Sequence, residues 1–339
     1  MMKVTIYDVA REAGVSIAAV SQVINGKGKI SEKKAKEILL VMQRMNYRPS
    51  VIASALAGKK TYTIGLLVPD ISNPFFAEMA RAVEDQGSTL GYSLVICSTD
   101  NKDERVEKYL ELLQQKSVDG IIIGTGIKDK KILKALMEKS IPVSMIARDI
   151  PDVQVQIVVV DDFQGGRLAA RHFLDLGHKR MAVLSESIEV SSSRERIRGF
   201  QQELNEANLE LPASMVKMSG HHLVEDGKRL ATQLLQEIPR PTGIFCCNDM
   251  LAIGALQSAK ELGLKVPADL SIIGFDNTIL ASVTDPPLTT VAQPIELMGK
   301  TAVNFLLKQL DKESLAEQNR TVLVPQMMIR QSTAAPLTP

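Results

Sequence analysis

Tryptophan is absent from this 339-residue chain, aromatic residues make up only 4%, and there are three cysteines and four histidines. The cysteines (Cys97, Cys246 and Cys247) are odd in number, two are adjacent, and all lie in apolar runs. Such a set fits reduced core thiols and excludes a disulfide framework. There is no CxxC-type spacing, and the adjacent His221 and His222 point to different faces with no thiol or carboxylate cluster beside them, so no metal is expected. No apolar run approaches the ~18 residues that span a bilayer. The first fifteen residues carry Lys3, Asp8, Arg11 and Glu12 instead of the apolar segment of a secretory signal, so a cytoplasmic protein is expected. Ser191-Ser192-Ser193 has no nucleophile-elbow context, and Gly124-Thr125-Gly126 lacks the third glycine of a dinucleotide fingerprint. No nucleophile is paired with a base. Neither an enzyme nor a cofactor is expected.

Net charge is nearly missing too, since 40 basic and 39 acidic residues leave +1. That figure is a cancellation. Residues 1–60 hold eleven basic side chains against four acidic ones, a surplus of seven, so the remaining chain carries a deficit of six. A basic head on a mildly acidic body points to contact with a polyanion. With 45% hydrophobic and 23% charged residues the composition is that of a globular protein, and the length suggests two or three units.

The head reads as helix-turn-helix. Thr5-Ile6-Tyr7-Asp8 starts a helix in the manner of a capping box, with Ile6, Val9, Ala10 and Ala13 at helical spacing. Gly14 supplies the left-handed residue of a tight turn. Ser16 then caps a second helix over residues 17–25, and Ser31 a third over residues 32–45. The outer face of the second helix shows Ile17, Ala18, Ser21, Gln22 and Asn25, none of them charged. A merely solvated helix usually carries Glu and Lys there, whereas small and hydrogen-bonding groups suit base edges in a major groove. Next, Pro49 stops the third helix, and Ser50 can cap a short one over residues 51–57. Seven residues fall well below the ~12–15 at which an isolated helix holds in water, so this helix forms only when supported. Leu56 is its one large side chain at the end, flanked by Lys59 and Lys60, and a minor-groove wedge would look like this.

From Thr63 onward, apolar strand-like runs (TIGLLV, SLVIC, DGIIIG, PVSMI, IVVV, then RMAVL, TGIFCC, SIIGF) alternate with helical stretches in two similar sets. The expected architecture is two doubly wound parallel-sheet lobes. Ligands of such sheets sit beyond the carboxyl ends of the strands. Polar groups stand at those ends: Asp70 and Asn73, Arg148, Asn248, Asp276 and Gln293.

The blocks TIYDVAREAGVS, VSQVING, YRPSVIASALAGKK, TIGLLVPDISNPFF, VDGIII, GGRLAARHFLDLGH, RERIRGF, FCCNDMLAIGAL, SIIGFDN and PPLTTVAQP together resemble the lac repressor (LacI/GalR) family of bacterial transcription regulators over nearly the whole chain. The resemblance implies an all-α helix-turn-helix head (1–46), a hinge helix (47–61) and a periplasmic-binding-protein-like α/β core. The core's first lobe would be 62–160 plus 291–322, its second 161–290 plus 323–333, with a tail at 334–339. Read from its own residues, the segment after Arg330, with Pro336 and Pro339, is expected to be frayed. It implies a homodimer, or a dimer of dimers, reading a pseudo-palindromic operator in double-stranded DNA. The lack of a sustained C-terminal heptad favours the dimer. Among DNA contacts it adds Thr5, Tyr7, Ser16, Lys29, Ser31, Tyr47, Ser50 and Ala53 to the second-helix face and Leu56.

For a sugar or purine effector between the lobes, the resemblance implies Asn73, Phe75, Arg148, Arg196, Asn248, Asp276 and Gln293, while Phe76 is read as packing. The implied function is a repressor of carbohydrate-utilisation genes under allosteric control of a small sugar-like effector. The alternative, a solute-binding protein for sugar transport, is opposed by residues 1–60. Three positions depart from the family pattern. Ala19 and Gln22 stand where many members have Thr and Arg, and Gln favours adenine where Arg favours guanine. Ala147 precedes Arg148 where many members have an Asp that helps grip sugar hydroxyls. Two arginines and a missing acid suggest an anionic effector, a sugar acid or sugar phosphate.

Overall fold

A computed structural model of the chain describes residues 4–24, 30–47, 60–138, 141–149, 155–220, 222–311 and 320–337. They fall into two compact units, 1–61 and 62–339.

The first unit holds α1 (Ile6–Glu12), α2 (Ile17–Ile24) and α3 (Glu32–Arg44). The Asp8 carboxylate closes the first turn by accepting from the Thr5 backbone N–H at 3.0 Å and the Thr5 hydroxyl at 2.7 Å. Gly14, at φ +63°, turns the chain into α2, where Ser16 Oγ accepts from the Ala19 N–H at 3.2 Å. Val9, Ala10, Val20, Ile38 and Met42 form the core. Tyr47 packs on this core and donates its N–H to the Met42 carbonyl at 2.9 Å, so the head runs past residue 46. Asn25, Lys29 and the expected hinge helix with Ser50, Ala53 and Leu56 lie outside the described residues.

The second unit begins with β1 (Thr63–Val68), α4 (Pro74–Thr89), β2 (Ser93–Ser98), α5 (Asp103–Gln115), β3 (Gly120–Ile123), α6 (Lys130–Glu138), β4 (Val143–Ile146) and β5 (Gln156–Val160). There follow α7 (Asp162–Asp175), β6 (Met181–Ser185), α8 (Ser191–Glu206), β7 (Val216–Met218), α9 (Leu223–Leu235), β8 (Gly243–Cys246), α10 (Asp249–Glu261), β9 (Ser271–Asp276), α11 (Ile279–Val283) and β10 (Thr289–Ala292). The chain ends with α12 (Ile295–Leu310), β11 (Arg320–Leu323) and β12 (Gln326–Met328).

Two six-stranded sheets result, ordered β11-β5-β4-β3-β1-β2 and β12-β10-β9-β8-β6-β7. All pairings are parallel except β12 on β10. The strands β3, β4, β5, β8 and β9 are buried along their whole length, as expected where helices cover both faces of a parallel sheet. In each sheet the strand order reverses beside the earliest strand, between β1 and β3 and between β6 and β8. The loops that diverge there open a crevice at the carboxyl ends.

Three crossings join the lobes, and they correct the expected boundaries. The strand β10 lies wholly in the second sheet, Ala292 facing Asp276, so the crossing comes at residues 293–294 and not at 290. Leu323 of β11 pairs with Val160 in the first sheet, which moves the last crossing to residues 324–325. The tail is anchored, not frayed from Arg330. Ser332 is fully buried, and the Ala334 carbonyl accepts from Ser271 Oγ and lies 3.0 Å from His178 Nε2. The periodic pattern of 331–337 is too short to reveal such contacts.

Candidate functional site

In the head, α2 presents Ile17, Ala18 and Gln22 outward while Val20 is buried. The exposed side chains of this helix carry no charge, and Lys33 and Lys36 are exposed on α3. Tyr7 is 63% exposed. Thr5, Ser16 and Ser31 are exposed too, and each is engaged at a helix start. The Thr5 proton is committed to Asp8, which leaves that hydroxyl no donor for a phosphate.

In the second unit, the crevice between the lobes gathers Asn73, Phe75, Arg148, Arg196, Asn248, Asp276 and Gln293 around one cavity. Each is placed by a local rule. Asn73 caps α4, its Oδ1 accepting from the Phe75 N–H at 3.1 Å with Pro74 in the first turn. Asn248 caps α10, its Oδ1 accepting from the Leu251 N–H at 2.8 Å. Asp276 ends β9 at φ 112°, followed by Asn277 at φ 60°. Arg330 Nη2 holds that turn by donating to Asn277 Oδ1 at 2.6 Å. From the other side the buried Asp249 accepts from the Thr278 N–H at 2.8 Å and from Thr290 Oγ1 at 2.7 Å, and burial pushes its carboxyl up to about 6. Gln293 Nε2 donates to Asp276 Oδ1 at 2.7 Å.

Arg196 is the electrostatic centre of the cavity. Its Nε donates to Asp162 Oδ1 at 2.8 Å, Nη1 lies 3.7 Å from Asp276 Oδ1, and the guanidinium stacks 3.5 Å from the centre of the Phe275 ring. It also donates to the Cys247 carbonyl. Burial acts to lower its pKa, but Asp162 and Asp276 outweigh that and leave it above its ordinary value. Burial raises Asp276 well above the carboxylate range, with Arg196 opposing. Burial also pushes the Cys247 thiol up to about 12, so it stays protonated. Arg148 is less constrained. Its Nη1 reaches Ser192 Oγ at 3.4 Å and the group lies 5.8 Å from the Phe76 ring centre. Burial lowers it, with Glu186 opposing.

The charge balance differs from the sequence expectation. Two carboxylates (Asp162 and Glu186) and the Asp276 carboxyl group, its pKa raised by burial, face two guanidinium groups, and Arg196 is already paired. Asp149 does not serve Arg148, since it accepts from Arg320 Nε at 2.8 Å. Asp162, Glu186 and Ser192 are lining residues that sequence reasoning missed. Asp162 and Glu186 stand just after apolar strands, the same signal that singled out Arg148, and Ser192 sits in the first turn of α8. Phe75 and Phe76 both line the cavity and both pack into the core, edge to face at 5.0 Å.

The lobes are drawn together by the Arg148–Ser192 contact, by Lys128 and Glu189 at 3.3 Å, and by Glu78 accepting from the Ile279 N–H at 2.9 Å. The inner cavity keeps only about 30 Å³ of room, enough for one or two waters. Two outer chambers of about 280 and 650 Å³ adjoin it. Arg148 itself follows Ala147, which adopts φ 57° while its N–H donates to the Val158 carbonyl at 2.8 Å. A left-handed alanine costs about 1–2 kcal/mol, offset in part by the greater chain entropy a glycine loses. We expect Ala147→Gly to stabilise the chain by roughly 0.5–1 kcal/mol, read as a higher urea midpoint. An unchanged midpoint would mean that the turn is unstrained.

Among the described residues no helix is long and apolar enough to cross a membrane, and no group of three or more His, Cys, Asp or Glu could hold a metal ion. A helix-turn-helix head on a hinged, two-lobed binding core defines a class, the ligand-responsive DNA-binding regulators. The family description "Bacterial regulatory proteins, lacI family" matches residues 5–50, and "Periplasmic binding protein-like domain" matches residues 170–333. The HTH-type transcriptional regulator DegA of Bacillus subtilis (strain 168) is 46% identical over 98% of this chain and 99% of its own. A ribose operon repressor from Halalkalibacterium halodurans is 37% identical over 97% of each. The solved lac repressor dimer bound to operator and the anti-inducer ONPF aligns with a TM-score of 0.87 at 28% identity, over 98% of this chain and 100% of that one. The chain belongs to the lacI family of bacterial regulatory proteins. It is a transcriptional regulator, not an enzyme.

Proposed function

We propose that this regulator is a cytoplasmic repressor of carbohydrate-utilisation genes that binds a pseudo-palindromic operator as a homodimer. A small neutral, polyhydroxylated effector between the lobes releases it. The seven effector-contact residues expected from the sequence line one cavity between the lobes, and this is the observation that carries the reading. An exposed, uncharged α2 face within a basic head supports base readout by Ile17, Ala18, Ser21 and Gln22. Neutrality is preferred to a sugar acid or phosphate because Arg196 is already paired with Asp162 and Asp276, and Glu186 would repel an anion. The inner cavity is too small for a sugar as it stands, so the lobes must part to admit one and close again around it. That motion gives the effector a means to alter the hinge.

DNA selected from random sequence by the full-length chain should contain inverted repeats. Neutral sugars that raise its melting temperature should weaken binding to the selected site by about 5–150-fold. A fragment spanning 62–339 should keep the ligand response and lose the DNA. Selected sites without two-fold symmetry, or hits confined to sugar acids and phosphates, would overturn the corresponding part of the reading.

A further inference from the structure

Arg148 and Glu186 are the two residues common to the inner cavity and both outer chambers. They come from opposite lobes. Arg148 follows β4 of the first, and Glu186 follows β6 of the second. Both are aimed. The left-handed Ala147 and its hydrogen bond to Val158 set the course of the chain into Arg148. Glu186 Oε1 accepts from Asn248 Nδ2 at 3.0 Å, and Asn248 is itself buried and locked as the cap of α10. Each also keeps capacity in reserve. Glu186 has its second oxygen, and Arg148 has donors beyond the 3.4 Å contact to Ser192. No ion pair joins the two, yet Glu186 is the carboxylate that most favours the Arg148 charge. Both line the same three cavities without being paired to each other.

A guanidinium only donates and a carboxylate only accepts. A hydroxyl does both. Two neighbouring hydroxyls can therefore accept from Arg148 and donate to Glu186 at once. An anionic group would satisfy Arg148 and be repelled by Glu186, and an ammonium group the reverse.

We propose, building on the carbohydrate reading above, that Arg148 and Glu186 form a specificity-determining pair that grips neighbouring hydroxyls of a neutral effector from opposite lobes. Hydroxyl recognition and lobe closure are then one event. Opening the hinge separates the two halves, so an effector that lacks either hydroxyl loses both affinity and the closed state. The absence of an acid at Ala147 has its counterpart here, because the acid comes from the other lobe.

The test uses the full-length chain and calorimetry against a panel of neutral aldoses, ketoses and alditols, with hexosamines, uronic acids and hexose phosphates as charged arms. Wild type should prefer a neutral member. Glu186→Gln should weaken that sugar by roughly 10–100-fold, the worth of a hydrogen bond to a charged group. At least one monodeoxy form of the bound sugar should lose as much on wild type and little more on Glu186→Gln, since the same contact is removed twice. Adding Ala147→Asp to Glu186→Gln returns the acid to the lobe that carries Arg148. This double variant should recover affinity while the compaction on binding, followed by small-angle scattering, becomes smaller than in wild type. Unchanged affinity in Glu186→Gln, fully additive losses with every deoxy sugar, or preference for a charged arm would overturn the pair. If no panel member binds wild type, the carbohydrate reading itself fails and the pair with it.

Discussion

Arg196→Leu should destabilise the second unit by about 3–5 kcal/mol, the usual cost of removing one partner from a buried ion pair. The magnitude follows from what is left behind. Asp162 loses a 2.8 Å hydrogen bond, Asp276 loses its nearest cation at 3.7 Å, and the Cys247 carbonyl loses its donor. The Arg196 side chain is 9% exposed, so water can replace little of this. Against a typical total of about 5–15 kcal/mol, a urea midpoint should fall by about a fifth or more. The pH dependence has a definite sign. Asp276 is already raised by burial, and removing Arg196 raises it further. The folded variant therefore holds a proton that the unfolded chain releases in the usual carboxylate range. Its stability is greatest below that range and declines as pH rises through the folded-state value. The deficit relative to wild type should be largest at neutral pH and shrink towards pH 4. A loss below about 1 kcal/mol, typical of an exposed pair, would show that the cluster is solvated. Arg196→Lys should fall between, since it keeps the charge but not the planar fork.

Gly199→Ala should cost about 3 kcal/mol or more and abolish effector binding together with stability, beyond the ordinary penalty of an overfilled core. The helices α7 and α8 meet at two reciprocal glycines. A Cβ on Gly199 would lie 1.9 Å from the Phe163 carbonyl oxygen, and one on Gly166 would lie 2.0 Å from that of Arg196. Those neighbours are backbone, so the helices themselves must part. Parting them draws Asp162 on α7 away from Arg196 on α8, which breaks the pair described above. Gly87→Ala is the control. Its Cβ would meet Ile64 at an ordinary 3.6 Å, and within a helix the change should stabilise by about 0.5–1 kcal/mol. Chemical denaturation and calorimetry on the same samples check both. Equal effects from the two substitutions would show that the close crossing of α7 and α8 is not tight in solution.

Much of this protein is legible from sequence, and the legible parts share a cause. Capping residues, the Gly14 turn and the apolar periodicity of α1, α2 and α3 act over a few residues, so the head can be read directly. Alternating apolar runs give the two parallel sheets, and polar residues at strand ends give five of the seven cavity residues (Asn73, Arg148, Asn248, Asp276 and Gln293), because strand direction sets where those ends gather. Phe75 and Arg196 come only from the family resemblance. Asn73 and Asn248 are doubly marked, standing at strand ends and starting helices.

What lies beyond local pattern is who meets whom. No short-range signal pairs Arg196 with Asp162 and Asp276, or moves the crossing from residue 290 to 293–294. Nor does one bury Ser332 in a segment that reads as frayed. Glu186 carries the same strand-end signal as Arg148 but gains its meaning only from the opposite lobe. By itself the sequence determined the elements, the lobes and the candidate contacts, since these follow from neighbours along the chain. Only the tertiary structure decided which charges are neutralised and which stay open in the cleft. Those pairings join residues tens of positions apart, and their energies depend on burial and on how closely two lobes approach.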